Sequence, residues 1–227
     1  MAQSFDRLHD TPRSQGPALR LFVLGASGGV GSRLLEQAAS RGHHVTAQTR
    51  SAGKIAETPS VRVIVGVSDD EAFLKRHMAG HDAVILSIGI DTIGKTTLFS
   101  DTTRAVIAAM QEAGIERLIA ITGIGAGETR GHGGWFYNRI VYPLFTRNRY
   151  ADKDRQEAII ERSGLDWTIV RPAPFTSKAG VGPWCVCTDI PPDLQLRSIT
   201  RDEVAAFILD TLESGSFIHE KPFIGHS

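Results

Sequence analysis

Short runs of β-branched and aliphatic residues alternate along the chain with amphipathic stretches, and this alternation limits the fold more than any other feature. The apolar runs predict strands, and the stretches between them have helical spacing. Strands that are apolar throughout are buried on both faces, as in a parallel sheet covered by helices. We therefore predict an α/β fold with a doubly wound, Rossmann-like parallel sheet. The predicted strands lie at 19–25, 43–49, 61–66, 82–89, 117–122 and 166–172, and the predicted helices at 30–41, 51–57, 69–79, 97–113, 151–163 and 201–213.

The regular alternation ends after residue 172. A length of 227 residues suits one domain, and we assign 18–227 to a single Rossmann-like domain. Residues 1–17 are polar with charges of both signs, and we expect them to form a flexible tail. The Pro-rich, irregular segment 172–200 is expected to cover the carboxyl ends of the strands, where such sheets bind ligands, as a substrate lid.

Charge and cysteine content narrow the function classes. Lys+Arg and Asp+Glu both number 25, so the net charge of zero suggests neither a nucleic-acid nor a membrane partner. The chain has no apolar run of about 18 residues, which a membrane helix needs. Cys185 and Cys187 are too close for a relaxed disulfide and have no further ligand nearby in sequence. We expect a reduced, cytoplasmic monomer or homodimer that acts on a small molecule and holds no metal.

A glycine-rich turn, G-x-x-G-x-x-G, follows the first predicted strand and opens the first predicted helix. The first glycine, Gly25, allows the tight turn, the middle one lets a diphosphate approach the backbone, and Gly31 permits close packing of helix on strand. Amides at the helix N-terminus would receive the negative charge. A turn without a ligand is the alternative. We assign to dinucleotide binding the residues Gly25, Ser27, Gly28, Gly29, Val30 and Gly31.

The end of the second predicted strand indicates which dinucleotide binds. NAD sites carry an Asp or Glu there for the ribose 2′-hydroxyl, but this chain reads Thr49-Arg50. Arg50 and Lys54 carry the positive charges that hold a 2′-phosphate. The sequence therefore predicts NADP(H) rather than NAD(H), with solvated surface charge as the alternative for each residue.

A second candidate phosphate loop, Gly89 to Thr96, satisfies G-x-x-x-x-G-K-[ST]. In a P-loop, Lys95 would neutralise phosphates and Thr96 would bind magnesium. The pattern follows the fourth predicted strand, however, and the loop after the first strand already fills the nucleotide role. A P-loop nucleotide-binding protein is the remote alternative to a flexible loop in which Thr96 or Thr97 caps the next helix.

Four segments together resemble the atypical short-chain dehydrogenase/reductases, in particular the single-domain NAD(P)H-binding group that includes NmrA-like proteins and biliverdin reductase B. The resemblance spans about 19–213. Its marks are LGASGGVGSRLLEQAASRGHHVTAQTR, RLIAITGIGAG, KDRQEAIIERSGLDWTIVRPAPF and SITRDEVAAFIL. The resemblance implies that Thr122 lies near the reacting carbon, that Lys153 bonds the nicotinamide ribose, and that Pro172 borders the carboxamide. It also implies that the nicotinamide ribose lies beside Ser87, Ile88 and Gly89.

The chain departs from the larger family at the catalytic tyrosine, which precedes the lysine by four residues in Y-x-x-x-K. Arg149 occupies that position here, and Tyr150 precedes Lys153 by only three. Offsets of three and four share one face of a helix, so we name Tyr150 as the candidate general acid. A proton taken from solvent, as the resemblance to biliverdin reductase B implies, is the alternative.

A second glycine-rich window, Gly123 to Gly134, follows the fifth predicted strand, and we expect a thin, mobile wall beside the nicotinamide. Taken together, the sequence predicts an NADPH-dependent reductase for a small planar acceptor, namely a carbonyl, quinone, flavin or tetrapyrrole-like compound. The alternative from another class is a non-enzymatic NADP(H)-sensing regulator like the NmrA proteins.

Overall fold

The computed structural model describes residues 3–4, 16–89, 94–123, 147–178, 184–188 and 196–226, with backbone alone at 3–4 and 147–150. Within these ranges, five helices flank one sheet of nine strands. The strands are β1 (Gln3–Ser4), β2 (Arg20–Leu24), β3 (His44–Thr49), β4 (Val61–Val65), β5 (Ala83–Leu86), β6 (Arg117–Ile121), β7 (Asp166–Pro172), β8 (Cys185–Cys187) and β9 (Phe223–Gly225). The helices are α1 (Gly29–Ser40), α2 (Glu71–Met78), α3 (Leu98–Ala113), α4 (Arg147–Glu161) and α5 (Arg201–Ser214).

The strand order in the sheet is β1-β8-β9-β7-β6-β5-β2-β3-β4. The strands from β9 through β4 pair in parallel, while β8 pairs antiparallel with both β9 and β1. The chain winds outward in one direction from β2 through β4 and in the other from β5 through β7. The neighbouring strands β2 and β5 therefore form the topological switch point where such sheets bind ligands. The predicted doubly wound α/β fold is confirmed.

Apolar residues on both faces of the sheet form two cores. One face packs against α1 and α5, where Leu34 and Phe207 are buried. The other packs against α2, α3 and α4, where Leu74, Met110 and Ile160 are buried. Because the central strands contribute to both cores, their sequences are apolar without alternation.

The helix predicted at 51–57 is wrong. Turns occupy this segment, and Gly53 adopts a φ of 75°, in the left-handed region that interrupts a helix. The Glu57 carboxylate accepts a hydrogen bond from the Val63 amide at 3.0 Å, and Thr58 forms a bridge with Val61. These contacts turn the chain directly from β3 into β4.

The C-terminal part adds strands as well as loops. Cys185–Cys187 forms β8 and the final apolar segment forms β9, so part of the segment 172–200 belongs to the sheet. Cys185 and Cys187 do not form a disulfide. Gln3–Ser4, inside the expected tail, pairs with β8. Residues 179–183 and 189–195 lie outside the described residues, so the substrate lid expected at 172–200 stays a prediction. In the described part of the chain, no helix is both long and apolar enough to cross a membrane.

Candidate functional site

The glycine loop connects β2 to α1 at the switch point, and two of its glycines are required by close packing. Gly25 has a φ of 72°, and a Cβ at this position would lie 2.5 Å from the Ser87 carbonyl oxygen at the end of β5. A Cβ at Gly31 would lie 2.8 Å from Ala26 Cα. The Gly28 amide donates to the Gly25 carbonyl at 2.9 Å, which closes the turn. The loop, which follows β2, is therefore packed closely against the end of the neighbouring strand β5.

The N-terminus of α1 fits a phosphate. Its N-cap is Gly28, which has no side chain to accept a hydrogen bond from the helix amides, and its first turn contains no acidic residue. Ser27, Gly28 and Gly29 are exposed. The first amides of a helix have no partner within the helix and carry the positive end of its dipole. An anion bound here would complete their hydrogen bonding, as the diphosphate of a dinucleotide does in this type of fold.

Gln48 holds the loop in place, and our sequence interpretation did not identify it. Its Oε1 accepts a hydrogen bond from the Gly25 amide at 3.2 Å, and its Nε2 donates to the Gly66 carbonyl at 2.6 Å. The residue is buried in β3. An amide side chain inside an otherwise apolar strand was the available signal, since a buried polar group needs partners.

The end of β3 touches the glycine loop, because Thr49 Oγ1 donates to Ser27 Oγ at 3.3 Å. Arg50 is the next residue, and both Arg50 and Lys54 are exposed. The structure thus brings the backbone of Arg50 close to the glycine loop that precedes α1. A guanidinium at this position suits a phosphate on the adenosine ribose.

On the other side of the loop, β5 ends at Leu86, and the Ser87 amide donates to the Leu24 carbonyl at 3.0 Å. Ser87 and Ile88 are partly buried, and Gly89 is exposed. These residues, assigned to the nicotinamide ribose by resemblance, lie at the same edge of the sheet as the glycine loop. Val30 is buried under that loop.

Two of the candidate catalytic residues, Thr122 and Lys153, lie at the carboxyl end of β6. Thr122 directly follows this strand, and the Lys153 ammonium donates to the Ile121 carbonyl at 2.9 Å. The same ammonium lies 4.2 Å from the centroid of the Phe99 ring. Lys153 is buried, so it reaches β6 from α4 through the interior. Tyr150 lies in the same helix, which begins earlier than predicted, at Arg147.

A buried ion pair supports Thr122. The Glu157 carboxylate accepts from Thr122 Oγ1 at 2.7 Å and from Arg171 Nε at 3.2 Å. Arg171 belongs to β7, and Pro172, assigned to the carboxamide, follows it and is buried. Our sequence interpretation gave Arg171 no role. A charged residue inside an apolar strand is rarely buried without a partner, and that was the missed signal.

The second candidate phosphate loop is described only in part. Lys95 is exposed, and Thr96 Oγ1 accepts a hydrogen bond from the amide of Leu98, the first residue of α3, at 3.1 Å. The N-cap residue itself, Thr97, makes no side-chain capping bond. The described residues contain no group of three or more His, Cys, Asp or Glu side chains that could hold a metal ion. Residues 90–93 lie outside the described residues, as does the second glycine window after Gly123.

Residues 25–215 match the model of a protein family described as NAD(P)H-binding, which confirms the family resemblance drawn from the sequence. A curated relative from Bacillus subtilis, named uncharacterized sugar epimerase YhfK, is 28% identical over 203 residues, covering 86% of this chain and 88% of that protein.

Solved structures share the fold. ChuY from Escherichia coli O157:H7, an anaerobilin reductase, superposes with a TM-score of 0.74 at 22% identity, covering 91% of this chain and 96% of that chain. A short-chain dehydrogenase/reductase from Veillonella parvula, solved in complex with NADP, gives a TM-score of 0.74 at 17% identity, covering 92% of this chain and 94% of that chain.

Proposed function

We propose that this chain, which belongs to the NAD(P)H-binding family, is an NADPH-dependent reductase that transfers a hydride to a small planar acceptor. One observation carries the proposal. The uncapped N-terminus of α1 lies at the switch point of the sheet, and Arg50 stands beside it through the contact between Thr49 and Ser27. This arrangement provides one site for a diphosphate and, next to it, a positive charge for the 2′-phosphate of NADP.

Each part of the cofactor has a candidate partner along this edge of the sheet. The first amides of α1, beginning with Gly29, bind the diphosphate, and Arg50 binds the 2′-phosphate with help from Lys54. The end of β5, from Ser87 to Gly89, borders the nicotinamide ribose. Pro172, at the end of β7, borders the carboxamide.

The bound nicotinamide supplies the hydride, and the chain supplies orientation and the proton. A two-electron reduction adds that hydride and one proton to the acceptor and leaves NADP⁺. Thr122 is not the source of the proton, because its hydroxyl hydrogen is donated to the Glu157 carboxylate. The Thr122 oxygen is instead fixed as a hydrogen-bond acceptor beside the reacting carbon. Tyr150 is our candidate proton donor, and solvent is the alternative.

The proposed acceptor class rests on likeness. ChuY, which shares the fold, is named an anaerobilin reductase, and the sequence resembles a group that includes a flavin reductase. Both names describe planar, conjugated acceptors. We further propose a cytoplasmic location, since Cys185 and Cys187 do not form a disulfide.

Oxidation of NADPH in the presence of aldehydes, quinones, flavins and linear tetrapyrroles tests the proposed activity. We expect at least one acceptor to stimulate the oxidation of NADPH. One molecule of that acceptor should be reduced for each NADPH oxidised. Tyr150→Phe should lower turnover if the tyrosine donates the proton and leave it unchanged if solvent does.

Failure of every acceptor in a protein that still binds NADPH would favour a sensor. The specific observation in favour of that second candidate is Arg149, which occupies the position of the family's catalytic tyrosine. Binding of ATP with magnesium that is lost in Lys95→Ala would instead favour the P-loop alternative.

A further inference from the structure

Arg201 reaches across from α5 to the N-terminus of α1. It is the first residue of α5, and a Cβ placed on Gly29 would lie 2.6 Å from Arg201 Cδ. The arginine side chain therefore lies directly on the backbone of Gly29, where α1 begins. Gly29 is exposed and leaves room for it. A side chain at this position would displace the Arg201 side chain.

The guanidinium of Arg201 has a second support. Its central carbon lies 4.9 Å from the centroid of the Phe175 ring, a distance typical of a cation–π contact. Phe175 follows β7 and forms a bridge with Ile199, just before α5. The Ile199 amide donates to the Pro174 carbonyl at 3.1 Å. The aromatic ring and the arginine are therefore carried by two adjacent, hydrogen-bonded segments.

A capping box fixes the start of α5. The Glu203 amide donates to Thr200 Oγ1 at 3.2 Å, and the Thr200 amide donates to Glu203 Oε2 at 2.8 Å. His226 also contacts the Glu203 carboxylate, at 2.9 Å. Because both hydrogen bonds of this capping box are formed, the backbone that carries Arg201 is held in one position.

The charge of Arg201 is not neutralised within the described part of the chain, where no hydrogen bond or ion pair involves its side chain. Its neighbour Asp202 turns to Arg33 instead, at 3.4 Å. The first turn of α1 adds no acidic residue. A guanidinium with open donors thus faces the uncapped amides of a helix, and both attract the same anion.

We propose, resting on the NADP(H) site described above, that Arg201 is a further cofactor-binding residue that binds the diphosphate beside the N-terminus of α1. The position separates its role from that of Arg50. Arg50 follows β3, on one side of the glycine loop. Arg201 lies instead against Phe175, which follows β7 in the chain. The diphosphate links the two halves of the cofactor between them, and the planar guanidinium can donate to two of its oxygens.

The test measures binding of three probes to the unaltered protein and to Arg201→Ala, Arg201→Lys and the matched control Arg33→Ala. NADPH and NADH both contain the diphosphate, whereas adenosine 2′-monophosphate carries a 2′-phosphate without one. Arg33 is an exposed arginine on α1 that already has carboxylate partners. Thermal unfolding of each variant confirms that the fold is kept.

We expect Arg201→Ala to weaken the binding of NADPH and of NADH by the same factor, about tenfold. The affinity for adenosine 2′-monophosphate should be unchanged. Arg201→Lys should fall between Arg201→Ala and the unaltered protein, since it keeps the charge but loses the planar fork. Arg33→Ala should bind all three probes normally.

Two results would overturn the assignment while leaving the proposed function intact. One is an unchanged affinity for NADPH in Arg201→Ala. The other is a raised KM for the acceptor with unchanged cofactor affinity, which would place Arg201 on the substrate. Failure of the unaltered protein to bind either dinucleotide would instead overturn the proposed function and this assignment with it.

Discussion

Arg171 and Glu157 form an ion pair in the interior, where Arg171 Nη2 lies 2.5 Å from Glu157 Oε2 and the two side chains are 1% and 4% exposed. The pair joins β7 to α4. Its carboxylate also accepts the hydrogen of the Thr122 hydroxyl. A charge pair this deep contributes little net stability, but the loss of one partner leaves an unpaired charge in the core. The pair therefore links the stability of the domain to the orientation of Thr122.

Glu157→Gln should lower the free energy of unfolding by about 3 kcal/mol, because it removes the carboxylate charge that pairs with the buried Arg171. Urea unfolding measures this loss. The double variant Glu157→Leu with Arg171→Met should recover most of the stability, since both charges are removed together. Equal stability of Glu157→Gln and the unaltered protein would show that the buried pair is not ionic.

Thr122→Val should lower kcat by about tenfold to a hundredfold, since it removes the oxygen that we propose is positioned beside the reacting carbon. Thr122→Ser keeps the hydroxyl and should retain most of the activity. The dissociation constant for NADPH should change little in either variant. Turnover of Thr122→Val at the unaltered rate would remove Thr122 from the site.

Gly25→Ala should destabilise the protein more than Gly42→Ala, although both glycines have a positive φ, 72° and 83°. At Gly42 no atom lies within 4 Å of an added Cβ, so only backbone strain of about 1 kcal/mol is expected. At Gly25 the Cβ would also collide with the Ser87 carbonyl. Chemical unfolding separates the two terms, and equal losses would show that the loop can move away from β5.

The glycine loop and the buried parallel strands could be predicted because both depend on local patterns. The spacing of Gly25, Gly28 and Gly31 specifies a turn into a helix, and apolar runs specify buried parallel strands. The helix predicted at 51–57 failed since its spacing was read without the turn that Gly53 and the Glu57 contact impose.

The residues that support the site could not be predicted from the sequence, because their partners are distant along the chain. Arg171 meets Glu157 only when β7 packs under α4, and Arg201 meets Gly29 only when α5 packs beside α1. The capping box of Thr200 and Glu203 indicates where α5 begins, but it does not indicate what Arg201 will touch. Spacing within one segment therefore predicts the loop, whereas tertiary packing determines its supports.

Stability should fall as the pH is lowered below about 6.5, partly through His81. Burial lowers the pKa of this imidazole, whose Nε2 lies 2.8 Å from Thr46 Oγ1 and Nδ1 2.7 Å from the Met78 carbonyl. The unfolded chain takes up a proton near the ordinary pKa, while folded His81 stays neutral to lower pH. As the pH falls, His81 therefore lowers the free energy of unfolding only between the unfolded pKa and the lowered folded pKa. Below both values its effect no longer changes with pH.

His81→Gln should flatten the dependence of unfolding free energy on pH in that window. Replacement of the exposed His44 by Gln is the matched control and should leave the slope unchanged. Urea unfolding at several pH values between about 5 and 7 gives both slopes. Identical slopes for His81→Gln and the unaltered protein would contradict the assignment.

Calorimetric titration with NADPH and NADH, applied to the unaltered protein, Arg50→Ala and the control Arg62→Ala, tests the NADP(H) site most directly. The structure predicts one NADPH per chain, bound about tenfold more tightly than NADH, with the preference lost in Arg50→Ala and kept in Arg62→Ala. Equal affinity of the unaltered protein for NADPH and NADH, or no saturable binding of either, would contradict the proposed NADPH site.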